Sequence, residues 1–172
     1  MYRRARYGYA FRRIRLTRGQ FAIVDPDDYA NLNNYKWQTA AGRRTYYAVH
    51  AYQQSKTARH RFIWMHRKIL KAPDSFIVDH INHNGLDNRK ANLRLATHSQ
   101  SACNRRKSSA KTWSKYKGVS WRISDKRWSA AIGINNRAKW LGLFTDEISA
   151  AKAYDAAARK YHGEFASLNF EY

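Results

Sequence analysis

The sequence predicts an α+β protein built from two small units, and three observations support this prediction. The length of 172 residues suits one domain or two small ones. The C-terminal part has the pattern of three short strands followed by one helix, whereas the N-terminal part mixes short strands and helices. A basic segment rich in Ser and Lys lies between them. We therefore predict an N-terminal domain at 1–104, a linker at 105–115 and a C-terminal domain at 116–172.

The N-terminal domain is predicted to start its regular structure with an apolar strand at 21–24. Asp25 and Pro26 follow this strand as the N-cap and the first residue of a short helix. Further on, aromatic and β-branched residues predict a strand, and apolar residues at helical spacing predict a helix. These two elements lie at 45–52 and 62–70, and a strand at 77–81, a loop at 82–88 and a helix at 93–104 follow them.

The C-terminal domain is predicted as an antiparallel meander with strands at 118–123, 128–134 and 138–144, separated by turn-forming residues. An Ala-rich helix follows, with Thr145 as its N-cap and Gly163 as its terminator. Small side chains allow this helix to pack closely on the sheet. Its predicted inner face consists of residues at helical spacing, namely Ile148, Ala151, Tyr154, Ala158 and Tyr161.

The charge of the chain indicates a polyanionic partner. The 33 Lys and Arg residues exceed the 12 Asp and Glu residues and give a formal net charge of +21. Two runs, 3–18 and 105–117, are basic and contain no acidic residue. Two interpretations of the second run remain open: a solvated linker alone, or a linker whose first residues, Arg105 and Arg106, also contact a phosphate backbone.

Several protein classes are excluded or disfavoured by composition. Cys103 is the single cysteine, which excludes an intrachain disulfide framework and a multi-cysteine zinc site and fits a reducing compartment. No apolar stretch reaches the ~18 residues that a membrane-spanning helix needs. We see no secretory signal and no basic amphipathic helix, so we expect an intracellular protein that does not bind membranes.

One group of polar residues has the chemistry needed for phosphodiester hydrolysis. That reaction needs a base that activates water and a hard cation with oxygen ligands. His80 can be the base, and Asp79 can be a ligand of Mg²⁺ together with a second oxygen from a following helix. Asn92 can hold the loop that carries the base. The alternative is that these residues are an ordinary Asp-His pair and turn-capping asparagines.

The same region resembles the HNH endonuclease family. The ordered blocks that carry the resemblance lie at 65–67, 78–82, 85–89, 91–94, 96–97 and 100. The resemblance implies a ββα-metal unit in which Asp79 binds the metal, His80 is the general base and Asn92 orders the loop. Members of the family most often have Asn after the Gln that matches Gln100, whereas this chain has Ser101. The candidates for the remaining metal ligand are therefore Ser101 and Asn104.

A second resemblance covers most of the chain from Tyr116 to Phe170. Its blocks lie at 116–119, 128–132, 140–144, 150–158 and 168–170, and they resemble the APETALA-two/ethylene-response-factor domain. The resemblance implies a sheet that lies in the DNA major groove. The predicted DNA-contacting residues are Lys117, Arg122, Arg127, Trp128, Lys139 and Trp140. For Trp128 and Trp140, packing against the helix is the alternative. Ser120 and Gly133 replace Arg residues of plant members, so their recognition sequence does not transfer.

Together these features predict a metal-dependent DNA endonuclease of the homing or mobile-element type. We expect Mg²⁺ or another hard cation such as Mn²⁺, no small-molecule cofactor, double-stranded DNA as the partner, and a monomer. The resemblance implies action in the cytoplasm of a bacterial or phage-infected cell. One alternative is a non-catalytic, sequence-specific DNA-binding regulator with a degenerate nuclease unit. Another is an RNA-binding structural protein, which charge alone favours.

Overall fold

The computed structural model describes residues 10–53, 55, 58–107 and 113–170, which form two compact units. The units divide between Thr97 and His98, earlier in the chain than the predicted end of the N-terminal domain at 104. The mixture of small sheets and helices confirms the α+β class. In the described part of the chain, no helix is both long enough and apolar enough to cross a membrane. Parts of the two basic runs, at 3–9 and 108–112, lie outside the described residues.

The described residues of the first unit form three small antiparallel sheets and two α-helices. A hairpin of β1 (Arg12–Arg15) and β2 (Phe21–Val24) comes first, followed by helix α1 (Pro26–Leu32). A three-stranded sheet of β3 (Gln38–Ala41), β4 (Tyr46–Tyr52) and β5 (Arg61–Trp64) leads into helix α2 (Met65–Leu70). The last hairpin pairs β6 (Ile77–His80) with β7 (Leu93–Ala96).

The core of the first unit lies between the N-terminal hairpin, α1 and the three-stranded sheet. Apolar side chains from each of these elements are buried together, and the indole of Trp37 donates to the carbonyl of Leu32 at 2.7 Å. This bond satisfies the polar atom of a buried indole. The cluster consists of Ile14, Leu16, Ala22, Val24, Leu32, Trp37, Ala48 and Met65.

Two predicted helices are wrong in part, and strand pairing is the reason in both cases. The helix predicted at 62–70 begins only at Met65, because Arg61–Trp64 pairs with β4 as an edge strand. The helix predicted at 93–104 is replaced by β7 and a separate short helix, α3 (His98–Cys103). Strands β1 and β3 were not predicted, since their short runs lack the alternation that indicates a strand.

The second unit contains the predicted meander. Strands β8 (Val119–Arg122), β9 (Arg127–Ile134) and β10 (Arg137–Phe144) form an antiparallel sheet with β9 in the centre. The turn between β9 and β10 consists of Asn135 and Asn136, which both have positive φ, 49° and 61°. Asparagine tolerates this backbone conformation, which is the one that tight hairpins need. The predicted strands and turns are therefore confirmed here.

Helix α4 (Glu147–His162) packs on this sheet, but its start and its buried face differ from prediction. Asp146, not Thr145, is the N-cap, and its Oδ1 accepts a hydrogen bond from the backbone of Ser149 at 2.8 Å. Ile148 and Tyr161 are 49% and 37% exposed. Ala151, Tyr154 and Ala158 are buried, as predicted. Alanines allow the closest approach to the sheet, and the full set of buried residues is Ala150, Ala151, Tyr154, Asp155, Ala157 and Ala158.

A buried carboxylate holds the C-terminal segment of the second unit onto its sheet. Asp155 is fully buried in α4 and accepts hydrogen bonds from the backbone and side chain of Asn169 and from the backbone of Phe170. Asn169 in turn bonds both backbone groups of Lys117, at 2.6 and 3.1 Å. The carboxylate is thus fully hydrogen-bonded, as a buried polar group must be.

A ring cluster surrounds the start of α2 in the first unit. His66 is buried, with its ring centroid 5.2 Å from that of His80 and 5.8 Å from that of Tyr47. Burial, together with the neighbouring His80 and Arg67, lowers the pKa of His66 from 6.5 to about 3. His66 is therefore neutral in the folded protein over a pH range in which the unfolded chain binds a proton.

The low pKa of His66 predicts acid sensitivity of the fold. As pH falls below 6.5, the unfolded state binds the proton that folded His66 excludes. The free energy of unfolding should fall by up to ~1.4 kcal/mol per pH unit from this group. Urea titrations at several pH values measure the slope, which should become shallower in His66→Phe. The exposed His60→Phe is the control, and an equal slope in both variants would contradict the prediction.

Gly118 is expected to be intolerant of any side chain. Its φ is +75°, and an added Cβ would lie 1.9 Å from the ring of Tyr154. Gly118→Ala should therefore lower the free energy of unfolding by about 2 kcal/mol or more. Gly133→Ala is the matched control, because a Cβ there meets nothing within 4 Å. Urea denaturation of both variants tests this, and similar stabilities would count against the tight packing described.

Candidate functional site

The β6–β7 hairpin brings three of the predicted site residues into one loop region. Asp79 and His80 are the last two residues of β6, paired with Arg94 and Leu93 of β7. Asn92 directly precedes β7, and its carbonyl accepts from the backbone of Ile81 at 2.9 Å. Asp79, His80 and Asn92 are all buried. Asp79 and His80 therefore lie at one end of the loop between β6 and β7, and Asn92 lies at the other end.

The side chain of Asn92 connects the two halves of this loop. Its Oδ1 accepts from the backbone of Asn82 at 3.0 Å, and its Nδ2 donates to the carbonyl of Asp87 at 2.8 Å. Both ends of the amide are therefore used in holding the loop between β6 and β7. These are the contacts expected of a residue that orders the loop after the candidate base.

Asp87 forms a second brace within the loop, which sequence reasoning missed. Its carboxylate is buried and accepts two hydrogen bonds from the Arg89 guanidinium, at 2.7 and 2.6 Å, and one from Asn82 Nδ2 at 2.9 Å. Burial raises the pKa of Asp87, but the bonds from Arg89 and Asn82 outweigh it and keep the pKa below 3.8. The available signal was an acidic residue in a loop of turn formers with Arg two positions later.

The environment of His80 keeps its imidazole ring neutral. The ring is buried between His66 and Tyr47, at centroid distances of 5.2 and 5.7 Å. Burial lowers the pKa of His80, and the Asn88 side chain, Asp79 and Asp87 oppose this effect only partly. A neutral imidazole can accept a proton, and the two carboxylates nearby stabilise the cation that results. The structure thus adds Tyr47, His66 and Asn88 to the surroundings of the candidate base.

Asp79 is paired with an arginine on the neighbouring strand. Arg94 donates from Nε and Nη2 to one carboxylate oxygen of Asp79, at 3.0 and 2.8 Å. Both side chains are largely buried, so each charge compensates the other. Arg94 was not predicted as a site residue, because 93–104 was interpreted as a helix. If 93–96 is a strand paired with β6, Arg94 lies opposite Asp79.

The donor chemistry of Asp79 fits a hard divalent cation. Carboxylate oxygen is the ligand type that such ions prefer, and Mg²⁺ takes few protein ligands beside water and phosphate. Among the described residues no group of three His, Cys, Asp or Glu side chains could hold a metal, so a carboxylate cage is absent there. Ser101 lies in α3 of the second unit, and Asn104 follows α3 and is buried.

The sheet of the second unit divides the predicted DNA-contacting residues between its two faces. Arg122 and Arg127 are cross-strand partners, and both are exposed. Trp140 pairs with Ala131, on the same face of β9 as Arg127, and is 60% exposed. Trp140 also donates to Ser129 Oγ at 3.3 Å. Arg122, Arg127 and Trp140 therefore share the face turned away from the helix, which we call the outer face.

Trp128 and Lys139 lie on the opposite side of that sheet. Trp128 packs against the buried cluster that contains Val119 and Ala150, so for this residue the packing alternative holds. Lys139 pairs with buried Ile132, and its Nζ donates to the hydroxyl of Tyr161 on α4 at 2.7 Å. Alternation along a strand places successive side chains on opposite faces, which explains why neighbouring candidates separate.

The remaining candidates for DNA contact differ in exposure: Lys117 is partly buried, whereas Arg105 and Arg106 are exposed. The Nζ of Lys117 donates to the carbonyl of Cys103 at 2.6 Å within the second unit. Burial lowers the pKa of Lys117 to about 8, although Cys103 and Asp155 oppose this effect. Arg105 and Arg106 are exposed after α3. The observed contact of Lys117 is thus internal to its unit, whereas the two arginines are accessible to a ligand.

Comparison with known proteins identifies both regions. A family model described as HNH endonuclease matches residues 57–103. An uncharacterized HNH endonuclease of Acanthamoeba polyphaga mimivirus is 36% identical over 152 residues, which cover 88% of this chain and 76% of the relative.

Plant relatives match the C-terminal region. An AP2/ERF and B3 domain-containing protein of Oryza sativa subsp. japonica is 47% identical over 57 residues, which cover 33% of this chain and 15% of that protein. An AP2-like ethylene-responsive transcription factor of Arabidopsis thaliana is 45% identical over 71 residues, which cover 39% of this chain and 12% of that protein. The similarity to these plant proteins supports an ERF-type domain, and it spans a small part of their length.

The mimivirus relative is similar along most of both chains, and the family model covers α2, the β6–β7 hairpin and α3. That hairpin contains the candidate site residues Asp79 and His80. The chain is therefore a nuclease that belongs to the HNH endonuclease family.

Proposed function

We propose that this nuclease is a metal-dependent DNA endonuclease in which His80 is the general base. The observation that carries the proposal is the placement of a buried imidazole of lowered pKa next to Asp79, at the end of a loop closed by Asn92. A general base must hold its proton-accepting form near the working pH. The neutral ring of His80 meets that requirement.

In the proposed reaction, His80 takes a proton from the water that attacks a phosphodiester. The carboxylates of Asp79 and Asp87 favour the imidazolium that forms, because both act to raise the pKa of His80. Asn92 keeps the loop in place during this transfer through its bonds to Asn82 and Asp87. By analogy with the family, the products carry a 5′-phosphate and a 3′-hydroxyl.

Asp79 is the proposed protein ligand of the first unit for Mg²⁺ or Mn²⁺. When bound, such a cation stabilises negative charge on the phosphate and on the leaving oxygen. Arg94 orients the carboxylate of Asp79 through two hydrogen bonds to one oxygen. Ser101 and Asn104 stay the candidates for a further oxygen ligand, as predicted from the resemblance. An amide oxygen is the stronger ligand of the two for a hard cation.

The outer face of the second unit is the proposed surface for duplex DNA. Arg122 and Arg127 present cationic groups there, and Trp140 adds an exposed aromatic ring. The major groove of B-DNA admits β-structure such as a two-stranded ribbon. We propose that the protein is a monomer of the homing or mobile-element type, acts on DNA in the cytoplasm of a bacterial or phage-infected cell, and with one active site nicks its target.

The role of His80 is tested by conversion of supercoiled plasmid by purified protein. We expect cleavage with Mg²⁺, none with chelator, and a rate lowered by about 10²- to 10⁴-fold in His80→Ala, because water loses its proton acceptor. His60→Ala is the control, since His60 is exposed. Binding without cleavage by the wild-type protein would instead support the regulator with a degenerate nuclease unit.

The outer face is tested by binding of a labelled duplex. At ~150 mM salt we expect Arg127→Gln and Trp140→Ala to weaken binding by about tenfold, since each removes a DNA contact. Lys152→Gln is the control, because it removes one positive charge from an exposed position on α4. Equal affinities for all three variants would exclude the outer face as the binding surface, and tighter binding of structured RNA than of duplex DNA would favour the RNA-binding alternative.

A further inference from the structure

The N-terminal hairpin presents a basic surface that the proposed mechanism leaves unused. Residues 10–24 contain no acidic residue. In β1, Ile14 points into the core, so Arg13 and Arg15 project from the opposite face by strand alternation. Arg18 lies in the connecting turn with φ of 57° and is exposed. Three guanidinium groups are thus presented by one hairpin, and the face that carries Arg13 and Arg15 is called the basic hairpin face.

The basic hairpin face has the composition of a nucleic-acid contact. Cross-strand partners of Arg13 and Arg15 are Ile23 and Phe21, and Phe21 is 45% exposed. Within the part of the chain that the structure describes, Arg13, Arg15 and Arg18 make no ion pair with a carboxylate. Arginine donors match phosphate oxygens in geometry and charge. The chemistry that this surface fits is a phosphate backbone.

Strand β2 connects this face directly to the loop of the candidate active site. Ile23 donates its N–H to the carbonyl of Leu86 at 2.8 Å and accepts from the backbone of Asn88 at 2.7 Å. Ile23 and Asp87 thereby form a parallel bridge. Partners in a bridge project to the same side of the sheet, so Arg13, Ile23 and Asp87 stand in one row.

The segment bonded to β2 contains the residues that act on His80. Asn88 is fully buried, its side chain acts to raise the pKa of His80, and Asp87 is held by Arg89 and Asn82. Backbone hydrogen bonds, rather than flexible side chains, therefore fix the position of the hairpin relative to the loop. A ligand bound to the hairpin is thereby positioned relative to that loop. Backbone ladders hold such positions closely.

We propose that the β1–β2 hairpin is a second DNA-binding surface, which holds the phosphate backbone through Arg13, Arg15 and Arg18 and positions the catalytic loop on its substrate. This inference rests on the proposed function, because the partner is the same duplex. Phosphate contacts fix the register of a protein on DNA and carry no sequence information. The hairpin therefore supplies placement, and the outer face of the second unit supplies recognition.

The test compares two triple variants with equal loss of charge. The first is Arg13→Gln/Arg15→Gln/Arg18→Gln, and the control replaces three exposed cations elsewhere in the first unit, namely Arg43, Arg59 and Lys71, by Gln. Binding of a fluorescein-labelled 30-bp duplex is measured in chelator at several salt concentrations. Loss of three phosphate contacts should reduce the magnitude of the negative slope of log K against log salt by about 2.7. Thermal melting of both variants establishes that they are folded.

The positioning role has a separate readout. At saturating duplex with Mg²⁺, we expect the single-turnover cleavage rate of the hairpin variant to fall roughly tenfold or more below that of the control variant. A slope equal to that of the control overturns the DNA-binding surface. An unchanged rate at saturation overturns the positioning role. A wild-type protein that does not cleave, combined with the reduced slope in the hairpin variant, overturns the proposed function and supports the surface.

Discussion

The hydrogen bonds of the Asn92 side chain are the constraint on which the candidate active site depends. They join the start of the loop at Asn82 to its later part at Asp87, so that the ends of β6 and β7 are held in one arrangement. The backbone bond between Ile81 and Asn92 continues the hairpin up to that point. An amide can make both bonds because it carries a donor and an acceptor. Without this closure the polar loop would leave buried groups unsatisfied, which costs stability.

Burial determines the charge state of the groups held by that loop. His66 and His80 are kept neutral because each ring has little access to water. The carboxylates of Asp79 and Asp87 lie close to these rings, and each is bonded to a guanidinium, that of Arg94 or Arg89. A small region therefore contains a proton acceptor and two carboxylates bonded to arginines. This combination suits hydrolysis of a phosphodiester, in which a base and a cation ligand are both required.

The two units present different exposed surfaces. In the second unit, close packing of alanines on the sheet leaves the outer face for contacts with a ligand, while Asp155 secures the C-terminal segment. In the first unit, the N-terminal hairpin combines an apolar inner side with arginines on its other side. Both units thus use strand alternation to separate a core from a charged surface. Even a strand of four residues does this, because successive side chains point to opposite faces of the sheet.

Residue types and their order determined the chemistry of this protein, the α+β class and the C-terminal meander with its helix. Motif and turn signals are local, so Asp79, His80, Asn92 and the Asn135–Asn136 turn are visible without a fold. Only the tertiary structure decided that Leu93–Ala96 is a strand, that Arg94 therefore meets Asp79, and that β1 exists at all. It also decided that Trp128 packs inward while Trp140 is exposed. These outcomes depend on cross-strand partners that are distant in sequence. A local sequence pattern does not identify such a partner.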